Sequence, residues 1–380
     1  MSTQRHWDIF CTVIDNYGDI GVTWRLARQL ATEYGFAVRL WVDDLDALRR
    51  LCPQASTADA QRIAGVEIRR WTRAFPETHI ADVVIAAFAC ALPSSYIEAM
   101  TRREPRPLWI NLDYLSAENW VGDCHGLPSP QPGDLRKFFF FPGFTDNTGG
   151  LIREHDLIAR RTAFQASEEQ KRAFLQSVID IAPPSTDTRV VSLFAYENPA
   201  IPALLEQWTN DHRATLCLVP EGRALPQVAQ FFGAHELAPH SICRRGALSI
   251  EVLPFLAQDD YDRLLWSCDL NFVRGEDSFL RALWAARPLI WQIYPQAEDA
   301  HWPKLDAFLE LYCTGLAPAQ ADALRACWRA WNGAGGMASA WARFEQHLPY
   351  FRSHAGHWCA LHAQHENLAQ RLVQFCANQV

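Results

Sequence analysis

Two carboxylates, Asp15 and Asp19, follow an apolar run in the stretch TVIDNYGDIGVTWRLARQL, Thr12 to Leu30, with Tyr17, Gly18 and Gly21 around them. A plain strand-to-helix connection needs only the glycines, which allow a sharp turn and close backbone approach. Paired acids beside a helix start suit acid–base work or the grip of a cation, and they repel phosphate. This stretch therefore fits a positively charged or protic acceptor better than a nucleotide. The structural alternative is that Asp19 caps the helix and Asp15 bonds within its own turn.

A second constellation lies in DLNFVRGEDSFLRALWAARPLIW, Asp269 to Trp291. A strand ends at Val273, Arg274-Gly275-Glu276-Asp277-Ser278 forms a turn, and a helix is expected from about Phe279 to Ala286, with Asp277 or Ser278 as its natural cap. A helix N-terminus beside an arginine makes a diphosphate cradle, since amides, macrodipole and guanidinium all favour phosphate oxygens. Glu276 cannot face those oxygens and should meet a hydroxyl of the ribose or sugar. Tyr294 and Gln296 follow the next strand and could close over the same ligand. Phe194 and Tyr196 in LFAYEN, and Phe255, Gln258 and Tyr261 in LPFLAQDDY, offer flat faces for a base. Core packing is the plainer use of each ring.

Elements that could position these groups alternate along the chain. Strands are expected at Asp8–Ile14, Ala37–Val42 and within VEIRRW, ADVVIAAF and RPLWINLDYL, with helices at Val22–Tyr34, Leu45–Leu51 and Ser94–Arg103. Ser129 to Gly150 is dense in Pro and Gly and reads as a long loop. Helical patterns fill Leu151 to Ile181, and RVVSLFAYEN, ATLCLVP, SIEVLPF, DLNFVRGEDS and RPLIWQIYP begin a second α/β series. From about Ala319 onward the pattern is helical throughout. Apolar strands separated by helices indicate parallel sheets covered on both faces, with ligands beyond the carboxyl ends of the strands.

Composition narrows the class. The 380 residues carry a net charge of −8, which argues against non-specific nucleic-acid binding. No run reaches the roughly 18 apolar residues of a membrane span, and no secretory leader is visible, so a cytoplasmic protein without a membrane partner is expected. Eleven cysteines with no CxxC pair read as reduced thiols. The fifteen tryptophans exceed ordinary core needs, though core packing remains the first use for most of them. His354, His357, His362 and His365 mix helical spacings without a completing Cys or acid, and read as a solvated helix face, not a zinc site. An NAD-dependent oxidoreductase would need GxGxxG, and only Gly18 and Gly21 are present, although Asp43 and Asp44 could imitate the ribose-holding acid. Another nucleotide-sugar transferase and a non-enzymatic binding protein are the further alternatives.

The strings DIFCTVIDNYGDIGVTWRLARQL, SLFAYENPA and NFVRGEDSFLRALWAARPLIWQIYPQ resemble the protein-arginine rhamnosyltransferases that modify bacterial elongation factor P, a likeness running from Trp7 to the final helices. The resemblance implies an α/β, GT-B fold, with two Rossmann-like domains facing a central cleft. It implies an acceptor domain at 1–153 plus 360–380, a helical linker at 154–183 and a dTDP-sugar domain at 184–359. It implies inverting transfer of L-rhamnose from dTDP-β-L-rhamnose to an arginine of elongation factor P, with no cofactor. Asp15 and Asp19 match the acceptor-side acids, and Arg274, Glu276, Asp277, Ser278 and Tyr294 the donor site. Phe194, Tyr196, Phe255 and Gln258 fall in the nucleotide-binding stretches. Tyr261 lies in the same region without a matched role.

A guanidinium stays protonated up to a pKa of roughly 12 and is a poor nucleophile. One carboxylate can hold it and the other can take a proton as nitrogen attacks. The glycines assign the base to Asp19 and positioning to Asp15, with the reverse order open. The helix start, Arg274 and the Tyr294 hydroxyl can stabilise the leaving diphosphate in place of a metal.

Overall fold

The structure, a computed structural model, describes residues 5–14, 17–182 and 184–379. The chain divides into two compact units, one built from the residues up to His155 with those from Gln364 on, the other from Asp156 to Ala363.

The first unit holds β1 (His6–Cys11), α1 (Gly18–Glu33), β2 (Ala37–Val42), α2 (Leu45–Leu51), β3 (Ala60–Ile63), β4 (Val66–Arg70) and β5 (Val83–Ala87). It continues with α3 (Ser94–Arg102), β6 (Leu108–Leu112), α4 (Trp120–Cys124), β7 (Pro128–Pro130) and β8 (Arg136–Phe140). The strand order is β3-β4-β2-β1-β5-β6-β8-β7. The six inner strands are parallel, and only the edge strands β3 and β7 run antiparallel. In β5 every residue of VVIAA is buried, as a sheet covered on both faces requires.

The second unit opens with α5 (Leu157–Ala166) and α6 (Glu168–Val178), the stretch expected as a linker, and both pack on the later helix Gln258–Ser267. It continues with β9 (Arg189–Leu193), α7 (Ile201–Thr209), β10 (Thr215–Pro220), α8 (Leu225–Phe232), β11 (Ile242–Arg245), β12 (Leu248–Leu253), α9 (Gln258–Ser267) and β13 (Leu270–Arg274). Next come α10 (Asp277–Trp284), β14 (Leu289–Gln292), α11 (His301–Tyr312), α12 (Pro318–Trp331), α13 (Met337–Gln346) and α14 (Leu348–His362). Its sheet has the order β11-β12-β10-β9-β13-β14, parallel except at β11.

The last helix, α15 (Leu368–Asn378), belongs to the first unit. The Leu368 amide donates to the Leu151 carbonyl at 2.9 Å, and Arg371 Nη1 donates to the carbonyls of Thr145 and Thr148. The Phe375 ring meets Phe138 and Phe140 edge-on at 5.5 and 5.7 Å.

Three expectations need correction. β1 stops at Cys11 and not Ile14, because side chains take the amides a ladder would use: Val13 donates to Asp43 Oδ1 at 3.0 Å and Ile14 to Asp19 Oδ2 at 2.8 Å. α1 begins at Gly18, four residues before the apolar periodicity shows it. The Pro- and Gly-rich stretch from Ser129 to Gly150 is no continuous loop, since RKFFF forms β8 beside β6 with Phe138 and Phe140 buried.

The tryptophans are largely core: Trp7, Trp24, Trp208, Trp284, Trp328, Trp331 and Trp341 are fully buried, whereas Trp120 is exposed. All eleven cysteines are free thiols. No helix among the described residues is long and apolar enough to cross a membrane.

Candidate functional site

The first constellation sits where β1 hands over to α1. Asp15 lies outside the described residues. Tyr17, half-buried, occupies the cap position of α1 without a side-chain cap bond; its carbonyl accepts the Gly21 amide at 2.8 Å, and its hydroxyl accepts from Arg50 Nη1 at 3.1 Å. Asp19 is therefore not the helix cap. It stands in the first turn, 1% exposed, where the macrodipole favours an anion, and reaches back to the Ile14 amide. Thr23 Oγ1 donates to the Asp19 carbonyl at 2.8 Å and fixes the backbone beneath it.

Asp19 and Asp43 together hold the 12–14 segment, and their charges bear on the buried Cys11 thiol, which burial above all pushes far up. Asp44 caps α2, its Oδ1 accepting the Ala47 amide at 2.9 Å. The two acids that a dinucleotide site would use for ribose are thus committed to backbone amides.

The second constellation lies at the carboxyl ends of β9, β12, β13 and β14. Arg274 closes β13, is 5% exposed, and holds its guanidinium 4.6 Å from the Phe194 ring centre and 4.4 Å from that of Tyr196. Desolvated stacking of this kind is worth about 2 kcal/mol or more. Gly275 then takes φ +61°, a conformation glycine adopts freely, and its carbonyl accepts Trp291 Nε1 at 2.7 Å. The cap position of α10 falls on Glu276, one residue earlier than expected and without a side-chain cap bond, so neither Asp277 nor Ser278 is the cap. Ser278 Oγ instead accepts the Arg274 amide at 3.2 Å and donates to the Arg274 carbonyl, which locks the turn.

Around this turn, Asp277 Oδ2 accepts from Gln258 Nε2 at 3.4 Å, and both side chains are buried. Tyr261 is buried edge-on to Phe194 at 5.6 Å, and burial pushes its phenol far up. Tyr294, 41% exposed, meets Tyr196 edge-on at 5.5 Å. Phe255 is half-buried in the segment joining β12 to α9. Gln296 lies beyond β14, its amide donating to His301 Nδ1 at 3.3 Å.

Sequence reasoning missed two supports. Gln292 accepts the Tyr196 amide at 2.9 Å and donates to the Glu197 carbonyl at 3.3 Å, so it shapes the loop that presents the two rings. All eight residues of α10 are buried, and Arg281 inside it forms a two-pronged pair with Asp262 at 2.8 and 2.5 Å. A helix buried all round sits in core, so its amide-rich N-terminus is held firmly. The only signal for either was position: Gln292 ends a strand, and Arg281 breaks the apolar run that follows Ser278 in the helix.

The histidines do not form one solvated face. His354 Nε2 contacts the Tyr312 carbonyl at 2.6 Å, His362 is buried against Trp358, and His365 Nδ1 lies 3.1 Å from Asp146. Among the described residues one group could hold a metal ion, Asp180, His240 and Glu251, but both Glu251 oxygens already accept the amides of Asp180 and Ile181.

Comparison with known proteins covers nearly the whole chain. The family model of the Elongation-Factor P (EF-P) rhamnosyltransferase EarP matches residues 7–377. A protein-arginine rhamnosyltransferase of Pseudomonas putida is 54% identical over 374 residues, spanning 98% of each chain. A solved structure described as "Structural basis for EarP-mediated arginine glycosylation of translation elongation factor EF-P" is 40% identical, with TM-score 0.71, covering 99% of this chain and 100% of that one. At the level of fold alone, TcCGT1 in complex with UDP is similar with TM-score 0.54 at 10% identity, covering 99% of both chains. The fold class is α/β of the GT-B glycosyltransferase type. By sequence and by structure, the chain belongs to the EF-P rhamnosyltransferase family EarP.

Proposed function

We propose that this protein transfers L-rhamnose from dTDP-β-L-rhamnose to an arginine side chain of EF-P, inverting the anomeric centre and using no cofactor or metal. The reading places its work in the cytoplasm, where translation occurs. The observation that carries the donor half is Arg274, held between Phe194 and Tyr196 directly before the N-terminus of α10. A guanidinium and the first-turn amides of a helix come together there, as a diphosphate requires. The pyrimidine would lie among Phe194, Phe255 and Tyr261, with Gln258 and Asp277 as polar partners. Glu276, half-buried at the helix start, would take a sugar or ribose hydroxyl.

In the acceptor half, Asp15 and Asp19 would hold one guanidinium. As its nitrogen attacks the anomeric carbon, Asp19 takes the proton, and the bond from that carbon to the diphosphate oxygen breaks. The electron pair stays on dTDP, whose new charge is met by Arg274, the helix amides and the Tyr294 hydroxyl. Attack from the face opposite the leaving group gives inversion.

Mass spectrometry of EF-P after incubation with the protein and dTDP-β-L-rhamnose tests the reading. The expected result is one deoxyhexose on one arginine, and α linkage by NMR. An unmodified EF-P refutes the activity, and a β linkage refutes inversion.

A further inference from the structure

The turn after β5 is left-handed without a glycine: Phe88 and Ala89 have φ +54° and +55°. A bulky residue there is a conformational outlier that persists only where its surroundings enforce it. The Phe88 amide donates to the Leu112 carbonyl at 2.6 Å, the Cys90 amide to the Ala87 carbonyl at 3.1 Å, and Cys90 Sγ to the Phe10 carbonyl at 3.3 Å. The outcome is a placed ring. Phe88 stacks on Tyr114 with centres 4.4 Å apart and planes 24° off parallel.

This stack belongs to the same sheet edge as Asp19. β5 pairs in parallel with β1, Phe10 opposite Ala86, so the left-handed turn runs beside the segment held by Asp19 and Asp43. The Asp19 and Asp43 charges both bear on the Cys11 thiol of β1, and that of Asp43 also bears on Cys90 in the turn. Tyr114 follows β6, the next strand over, and is half-exposed; its amide donates to Asp113 Oδ1 at 2.8 Å, which fixes the start of its loop.

We propose that Tyr114, backed by Phe88, is the stacking surface that positions the arginine of the acceptor. This rests on the rhamnosyltransferase reading and names a residue for its acceptor side. A guanidinium is planar and weakly hydrated, and it stacks on aromatic faces while its in-plane N–H groups remain open to carboxylates. Ring and acids can therefore act on it together. An ammonium has no plane to stack, so the arrangement selects arginine over lysine.

The test is steady-state kinetics with intact EF-P, together with dTDP titration of each variant. Tyr114→Leu should raise the KM for EF-P about 5- to 30-fold, the range of a partly desolvated cation–π contact, with dTDP affinity unchanged. Tyr114→Phe, which keeps the ring, should stay within about threefold of the unaltered protein. Phe88→Leu should raise the same KM by loosening the backing ring, and it decides the matter if Tyr114→Leu proves unstable. An unchanged KM in the leucine variants, or Tyr114→Phe as impaired as Tyr114→Leu, overturns the proposal. No transfer by the unaltered protein overturns the rhamnosyltransferase reading itself, and the inference with it.

Discussion

Replacing Arg274 by lysine keeps the charge and removes the plane, which separates two things the guanidinium does. It stacks between two rings at 4.6 and 4.4 Å while 5% exposed, and each such contact is worth about 1–2 kcal/mol. An ammonium on a flexible stem keeps part of this, so a net loss of roughly 2 kcal/mol is expected. At about 2–4 °C per kcal/mol for a unit of this size, the unliganded melting temperature should fall by roughly 4–8 °C. On the proposed reading, a guanidinium able to grip phosphate with two parallel N–H groups is replaced by a single ammonium contact. One charge-assisted hydrogen bond is worth about 1.5–3 kcal/mol, so dTDP should bind roughly 10- to 100-fold more weakly. Calorimetric titration with dTDP and thermal melts without it measure the two losses separately. Arg274→Met removes charge as well and should weaken dTDP further. If both variants bind dTDP within threefold of the unaltered protein, Arg274 is a core cation and the donor site lies elsewhere.

Asp19→Asn retains an oxygen for the Ile14 amide, so the fold should persist with dTDP affinity intact while kcat falls about 10²- to 10⁴-fold; near-normal turnover would leave Asp19 as a loop fastener only. Asp15→Asn should lose activity with a larger share in acceptor KM, and the double variant should be far less than additive, since on the proposed reading both acids serve one guanidinium. EDTA should leave turnover unchanged, and loss restored by a divalent cation would refute metal-free departure of dTDP. His125 Nδ1 accepts the Phe141 amide at 3.0 Å, and burial, with the Arg371 charge, lowers the ring from 6.5 to about 4. The folded state therefore takes up its proton later than the unfolded chain, so this stability is complete above about pH 6.5 and declines as pH falls towards 4. Melting curves should drop more steeply over that window than in His125→Gln, and identical slopes would refute the linkage.

Much of the candidate donor site was legible because it is local. A strand, a glycine turn and a helix start follow one another from Asp269, and that order alone converges amides and Arg274. What escaped depends on partners far along the chain. Ser278 looks like a cap, yet its hydroxyl turns back to Arg274, and Gln292 serves a loop 96 residues away. β8 was hidden because punctuating prolines and glycines flank RKFFF on both sides, while its reason to be a strand is β6. Asp44 could pass for a ribose-binding acid only while its capping bond to Ala47 was unseen. Nothing in the residue types at Phe88 and Ala89 announces a left-handed turn, since the bonds that tie it to Leu112 and Phe10 lie far along the chain.

The seating of α15 sets an order on birth at the ribosome. The strands of the first unit emerge early, but the helix that covers Phe138 and Phe140 is made only after the whole second unit. With 363 − 155 = 208 residues between, at about 5–20 residues per second, the nascent first unit waits roughly 10–40 s with that face uncovered. During that interval it is a natural client for holding chaperones, while the second unit can finish first. A premature stop codon shortly after Gln364 would therefore wound the half encoded at the opposite end of the gene, and slow codons late in the message would lengthen its exposure.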